Sequence, residues 1–413
     1  MNDGIRIMDS EMRGSESVFV LGMTGAGKST VALLLTNIST LYACKRSEYD
    51  LRFIIRDVGD EISTIDSQSK TKIPEVRHSP ELGTTFYDCP GFADTNSTDE
   101  LTTAYFIKHA LDSSKKVKFL LVAPFQVLQV AGDRHYLANL LLHTVKTVKN
   151  VEKYAESFAL AVTFAEPLYP TSDTVRAVAG YLRTFLKEEL YRNFEGQDDV
   201  LNNAKVLLNS LLVQDDKGYI AIAAFRKPTQ HGPLSNLTWA QEDRQGLLTL
   251  LTEDTLYQTA SSEDFGYYVS DTGKLRAAEL LTEIDNSINQ NMKQFWTEIQ
   301  QGYAKVLNST SDPIQQKTLV KTALETCESV LAYFIRDQGQ NMTWMSQPKS
   351  FVEALTAHAA PLGMSLSTNP NLAFVLMQDS HLSFVQNVTG KPANLQYTRW
   401  LTGLQPMLAF LED

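Results

Sequence analysis

The sequence predicts an α/β protein: a domain over residues 16–235 with a mostly parallel, six-stranded sheet, then an α-helical domain over 236–413. Three observations carry this reading. Short β-rich apolar runs alternate with helix-length segments, a glycine-rich turn lies between the first strand and the first helix, and the β signal fades beyond residue 240.

The polar segment 1–15 has no periodicity and reads as a flexible leader. The first apolar run, Val18 to Leu21, is short and rich in β-formers, as a buried parallel strand is. A helix-length run from Ser29 to Ile38 follows the turn. Further strand-like runs fall at 53–55, 85–87, 117–122, 158–162 and 219–224, with helix-like segments at 100–113, 134–149, 173–193 and 199–212 between them. Pro228, Gly232 and Pro233 break the pattern, and the first domain is expected to end near there. Beyond it apolar residues return at helical spacing in 243–258, 273–308, 313–337, 348–360 and 395–411. Leu281, Ile284, Ile288, Met292, Phe295 and Ile299 trace the face of one long amphipathic helix.

Composition bounds the function. A chain of 413 residues is too long for one ordinary core. A formal net charge of −11 argues against a general nucleic-acid binder, which needs a positive field to displace counterions. No run approaches a membrane span and the N-terminus lacks a signal-peptide core, so a cytoplasmic protein is expected, with peripheral membrane contact left open. Cys44, Cys89 and Cys327 lie far apart, without metal-ligand spacing, and read as free thiols. His109, His135 and His143 fall on helix-like segments and read as surface or packing residues.

The pattern Gly-x-x-x-x-Gly-Lys-Ser stands between strand and helix as Gly22, Met23, Thr24, Gly25, Ala26, Gly27, Lys28 and Ser29. Such a turn curls so that backbone N–H groups point at phosphate oxygens while the following helix presents its positive end. Lys28 is expected to reach the β- and γ-phosphates, Ser29 to ligate Mg²⁺, and Thr30 to complete the cradle. A second element, Asp88-Cys89-Pro90-Gly91, follows another apolar strand. A carboxylate at a strand's C-terminal end can hold the water shell of Mg²⁺, and the Gly91 amide can sense the γ-phosphate.

Together Gly-Met-Thr-Gly-Ala-Gly-Lys-Ser-Thr at 22–30 and Asp-Cys-Pro-Gly-Phe-Ala-Asp-Thr at 88–95 resemble the septin, AIG1 (immunity-associated) and chloroplast-import-receptor group of P-loop GTPases. The resemblance covers about residues 16–230. It implies a guanine-nucleotide switch that binds GTP or GDP with Mg²⁺, hydrolyses slowly, and acts through a homodimer, a nucleotide-dependent oligomer or a protein effector. It also implies a Mg²⁺-binding hydroxyl on a mobile loop, for which Thr71 is the first candidate and Ser69 the second. In this group the residue after the second motif's glycine is hydrophobic, here Phe92, and an aromatic ring cannot orient the attacking water. The base-reading segment falls at Thr163-Phe164-Ala165-Glu166, with Glu166 as the carboxylate, Phe164 against the base, and Ala223 to Lys227 as a second wall. Because that segment departs from the family pattern, an ATPase or a hydrolysis-deficient adaptor is the alternative, and a P-loop small-molecule kinase a further one.

Overall fold

The computed structural model describes residues 16–46, 52–58, 73–79, 81–92, 97–129, 134–216, 218–309, 311–322 and 388. The chain forms two compact units, Met1–Gly273 and Lys274–Asp413.

In the first unit the elements run β1 (Glu16–Leu21), α1 (Lys28–Thr36), β2 (Leu41–Lys45), β3 (Phe53–Asp57), β4 (Glu75–Ser79) and β5 (Thr84–Asp88). Then come α2 (Ser97–Ser113), β6 (Lys116–Pro124), α3 (Arg134–Thr147), β7 (Phe158–Ala165), α4 (Thr171–Thr184), α5 (Asp198–Leu211), β8 (Ile222–Arg226), α6 (Thr238–Thr249) and β9 (Gln258–Thr259).

The main sheet has the order β8-β7-β6-β1-β5-β4, parallel except for β4 at the edge, and the two-residue β9 pairs antiparallel with β6. Six strands on that path match the sequence expectation. The run at 53–55, by contrast, leaves the main sheet: β2 and β3 form a separate antiparallel hairpin, extended by Gly232–Pro233. β4, with the sequence Glu-Val-Arg-His-Ser, escapes a search for apolar runs because it is an edge strand of alternating character.

Two apolar layers sandwich the sheet. One contains Phe19, Phe119, Tyr154 and Phe158 under α2, α3 and α5. The other packs Val18, Val20 and Phe86 against α1 and α6 through Leu33, Leu34 and Leu247. Val20, Leu120 and Ala161 are fully buried, as strands covered on both faces require. From β1 the chain pairs with β5 on one side and later with β6 on the other. That reversal opens a crevice at the carboxyl end of β1, where open α/β sheets bind ligands.

α6 returns to the sheet and is anchored there by a charged clamp. Arg226, at the end of β8, donates from Nε to Asp243 Oδ1 at 2.9 Å and from its backbone N–H to Asp243 Oδ2 at 2.8 Å. A long helix, α7 (Asp271–Ser309), begins at the end of the first unit and runs into the second, as the apolar spacing over 273–308 predicts. A further helix covers 313–322. No helix among the described residues is long and apolar enough to cross a membrane.

Candidate functional site

β1 delivers the chain to Gly22, where a Cβ would lie 2.5 Å from the Val122 carbonyl oxygen; only glycine lets the turn pass so close to β6. Gly25 and Gly27 adopt left-handed φ values of 80° and 89°. Those values are nearly free for glycine and strained for other residues. The Ala26 N–H closes the turn on the Met23 carbonyl at 3.2 Å. α1 then starts at Lys28, and no side chain caps it. The first N–H groups of a helix have no intrahelical partner, so this end offers donors and a positive potential to an anion. Lys28 is buried and folds over the turn, donating from Nζ to the Met23 carbonyl at 3.1 Å.

β5 lies beside β1 with Asp88 in register with Val20, which sets the carboxylate at the same sheet edge as the turn. Asp88 is 0% exposed, and neither carboxylate oxygen has a hydrogen-bond partner. Burial pushes its pKa up, and the nearby Ser29 hydroxyl, Lys28 ammonium and Arg77 guanidinium each offset part of the rise. A buried, unpartnered carboxylate is costly unless something binds it. The hydroxyl of Ser29 together with this carboxylate fits a hydrated Mg²⁺, which takes oxygen donors and is usually held by one or two carboxylates plus substrate phosphates.

The two motifs are in direct contact. A Cβ on Gly91 would lie 2.3 Å from Thr24 Oγ1 and 2.6 Å from Thr24 Cα. The Thr24 N–H donates to the Phe92 carbonyl at 3.4 Å, and the Phe92 N–H donates to the Gly22 carbonyl at 3.1 Å. The glycine turn and the Asp-x-x-Gly turn are therefore bound directly to each other. Beneath them Phe92 is buried and stacks on His143 of α3, with ring centroids 4.8 Å apart. His143 in turn meets the Tyr268 ring edge-on at 4.0 Å. Burial drives the His143 pKa down to about 3, so the ring is neutral.

At the far side of the crevice, Thr163 of β7 is buried and its Oγ1 donates to the Ala26 carbonyl at 2.7 Å, tying β7 to the phosphate turn. Glu166 does not stand alone: Lys227 Nζ donates to its Oε1 at 2.7 Å. The Lys227 N–H also donates to the Ala165 carbonyl at 2.9 Å.

The structure thus brings Gly22, Thr24, Gly25, Ala26, Gly27, Lys28, Ser29, Asp88, Gly91 and Thr163 to one crevice. Thr30 lies within the first turn of α1. Thr71 and Ser69 lie outside the described residues, as do residues 93–95. Three features have no signature in the sequence: the Thr24–Gly91 contact, the Phe92–His143–Tyr268 stack, and the partnership of Lys227 with Glu166. The contacting partners lie 51 to 125 residues apart in sequence, and no spacing rule reaches that far.

No family model matches the chain, and no curated protein matches it. Among solved structures it is similar to a dimerisation-deficient mutant of Toc33 from Arabidopsis thaliana, at 13% identity and a TM-score of 0.33, over 62% of this chain and 93% of that one. It is also similar to NFeoB from S. thermophilus bound to GDP, aluminium fluoride and K⁺, at 9% identity and a TM-score of 0.25, covering 94% of this chain and 99% of the other. A point mutant of S. thermophilus NFeoB bound to GDP gives 11% identity and a TM-score of 0.24, with 95% and 98% covered. At such identities and scores the likenesses carry no functional argument; what stands is the crevice itself, a glycine turn, an uncapped helix start and a buried carboxylate at the carboxyl edge of a mostly parallel sheet.

Proposed function

We infer that this chain is a guanine-nucleotide-binding switch that hydrolyses GTP slowly with Mg²⁺. The observation that carries the reading is the Asp88 carboxylate, fully buried and without a hydrogen-bond partner, at the strand end beside Ser29 and the uncapped start of α1. Asp88, with Ser29, would hold a hydrated cation that offsets the cost of its burial, and the glycine turn would supply donors for phosphates. Mg²⁺ neutralises charge on the transferred group when bound. In this reading Lys28 contacts the β- and γ-phosphates, and the Gly91 N–H responds to the γ-phosphate.

Slow hydrolysis follows from Phe92, which is packed on His143 and has no group to orient water. A second copy of the chain or a protein effector then supplies that group, so dimerisation or effector binding sets the rate. Thr71, on the segment between β3 and β4, is the proposed second hydroxyl ligand of Mg²⁺. The signal leaves the crevice through α2, where Glu100 accepts hydrogen bonds from the Ser270 N–H at 2.6 Å and its Oγ at 2.7 Å, next to the first residue of α7. Together with the Phe92–His143–Tyr268 stack, this couples the Gly91 turn to the start of the long helix.

Fluorescence titration of a ribose-labelled GTP analogue, in Mg²⁺ and again in excess chelator, tests the site. Displacement by GTP and GDP well ahead of ATP and ADP, with affinity that falls on chelation, is the expected result. Preference for ATP would overturn the guanine assignment, and transfer of the γ-phosphoryl group to an added small acceptor would make the chain a kinase.

A further inference from the structure

Resting on the guanine-nucleotide reading, we propose that Glu100 of α2 completes, from outside the helix, the capping box that starts α7, and that the triphosphate state withdraws it. The nucleotide would then decide whether the first turn of the long helix is held. In a capping box a serine before the helix bonds the N–H of the third helical residue, and a glutamate at that third position reaches back to the serine N–H. Ser270 and Gly273 occupy these two positions at the start of α7. The first bond is present, the Gly273 N–H donating to Ser270 Oγ at 3.1 Å. Glycine has no side chain for the second. Glu100 makes it instead: its Oε1 accepts from the Ser270 N–H at 2.6 Å and its Oε2 from the Ser270 hydroxyl at 2.7 Å.

Gly273 makes room for that carboxylate. A Cβ there would lie 2.6 Å from Glu100 Oε2 and 2.4 Å from Val269 Cγ1, so any side chain at this position competes with Glu100 for the same space. Glycine is otherwise a poor helix residue, because it loses the most conformational freedom on ordering. The start of α7 therefore depends on a group that lies 170 residues away in the chain. Glu100 is buried and belongs to the first turn of α2. One carboxylate thus serves the positive ends of two helices, its own and α7.

The cap also borders the turn that is proposed to respond to the γ-phosphate. Gly91, Phe92, Glu100 and Tyr268 line one cavity of about 20 Å³, roughly the room of a single water molecule. In a close-packed interior such a space lets the turn shift without overlap. Movement of the Gly91 N–H toward a γ-phosphate draws the first turn of α2 toward the crevice and away from Ser270. A shift of about 1 Å takes hydrogen bonds of this length out of range. By linkage, a cap that the triphosphate must open lowers the affinity for triphosphate relative to diphosphate.

The test is hydrogen exchange of the full chain in Mg²⁺, with GDP and with a non-hydrolysable GTP analogue, read over the segment that holds Ser270 and Gly273. The variants are Glu100→Ala, the milder Glu100→Gln, and Glu100→Ala combined with Gly273→Glu, which rebuilds the box within α7 itself. In the unaltered chain the segment is expected to exchange about tenfold faster with the GTP analogue than with GDP. Glu100→Ala exchanges fast with both nucleotides, Glu100→Gln lies between, and the combined variant exchanges slowly with both. Because each removes the coupling, Glu100→Ala and the combined variant both raise the affinity for the GTP analogue relative to GDP by about fivefold, the scale of one capping contact. Equal exchange with the two nucleotides in the unaltered chain, or a nucleotide difference that persists in the combined variant, overturns the inference and leaves the nucleotide reading intact. Failure of the unaltered chain to bind either nucleotide removes the guanine reading and this coupling together.

Discussion

At the end of the crevice proposed to hold phosphates, the distinguishing features are backbone shape and one buried charge: Gly25 and Gly27 in left-handed conformation, an uncapped helix start, and Asp88 with both oxygens unpartnered. At the opposite end, where the proposed nucleotide would place its base, the features are side chains near the surface, an aromatic on a bulge and an ion pair half open to solvent. The difference teaches where each kind of specificity is stored. Phosphate binding is written in residues that must be glycine and in a helix placed directly after them, whereas base binding is written in partners from separate strands. The first tolerates little variation, and the second can be rebuilt by changing two or three exposed residues.

If that contrast holds, Lys28→Ala has the largest effect of any single change: loss of triphosphate affinity by about 100-fold or more, with an unchanged far-ultraviolet circular dichroism spectrum. Lys28 donates to the Met23 carbonyl and is not a member of either apolar layer, so binding is expected to be lost without the fold. Normal affinity in that variant would break the comparison outright.

The base end should instead be sensitive through its scaffold. Asp243→Ala leaves the Arg226 guanidinium, 14% exposed, without its buried partner. Removing one member of such a pair is expected to cost about 2–3 kcal/mol in urea unfolding, moderated by the bonds Arg226 keeps to Glu242 and the Trp239 carbonyl. The variant should also lose part of its preference for GDP over ADP while keeping its response to Mg²⁺. A uniform loss for both nucleotides would mean that the clamp serves the sheet alone.

Asp88→Asn sharpens the phosphate side. Neutralising a fully buried, unpartnered carboxylate is expected to stabilise the nucleotide-free chain by about 1–3 kcal/mol and to remove the Mg²⁺-dependent part of the affinity. A variant that is less stable without nucleotide would show that the carboxylate is held by the protein and is not waiting for a cation.

The same contrast explains what the sequence conveys. The Gly22–Ser29 turn and Asp88 are legible because glycine, lysine and carboxylate positions are fixed by a local strand-turn-helix geometry. The alternation of β7 and α4, or of β6 and α3, is legible from periodicity for the same reason. β4 is not, since an edge strand needs no apolar run, and the chain beyond the break at 228–233 gives no sign that α6 returns to β8, because the anchor is the Arg226–Asp243 pair and not a pattern. Phe92 can be read as a residue unable to position water, but its stacking on His143 depends on how α3 crosses the sheet. Lys227 lies inside a segment readable as a wall of the base pocket, yet its charge acquires meaning only when β8 sets it against Glu166.

The smallest expected effect separates the crevice from the stack beneath it. With a folded-state pKa near 3 against an ordinary 6.5, His143 binds fewer protons in the native chain than in the unfolded one between those values. Its contribution to stability is therefore intact above pH 6.5 and is lost progressively as pH falls toward 3. Asp88 works in the opposite sense, because its raised pKa makes the native chain hold a proton more tightly, so acidification below that pKa relieves its burial. Urea unfolding of the nucleotide-free chain, of His143→Phe and of Asp88→Asn across this range should resolve the two slopes. His143→Phe, which keeps a ring between Phe92 and Tyr268, is expected to flatten the acid-side loss and to change nucleotide affinity less than about twofold, since the ring contacts of His143 are to Phe92 and Tyr268. If His143→Phe instead alters affinity for GTP but not for GDP, the stack belongs to the switch itself, and the boundary drawn between the phosphate turn and its support moves inward to include α3.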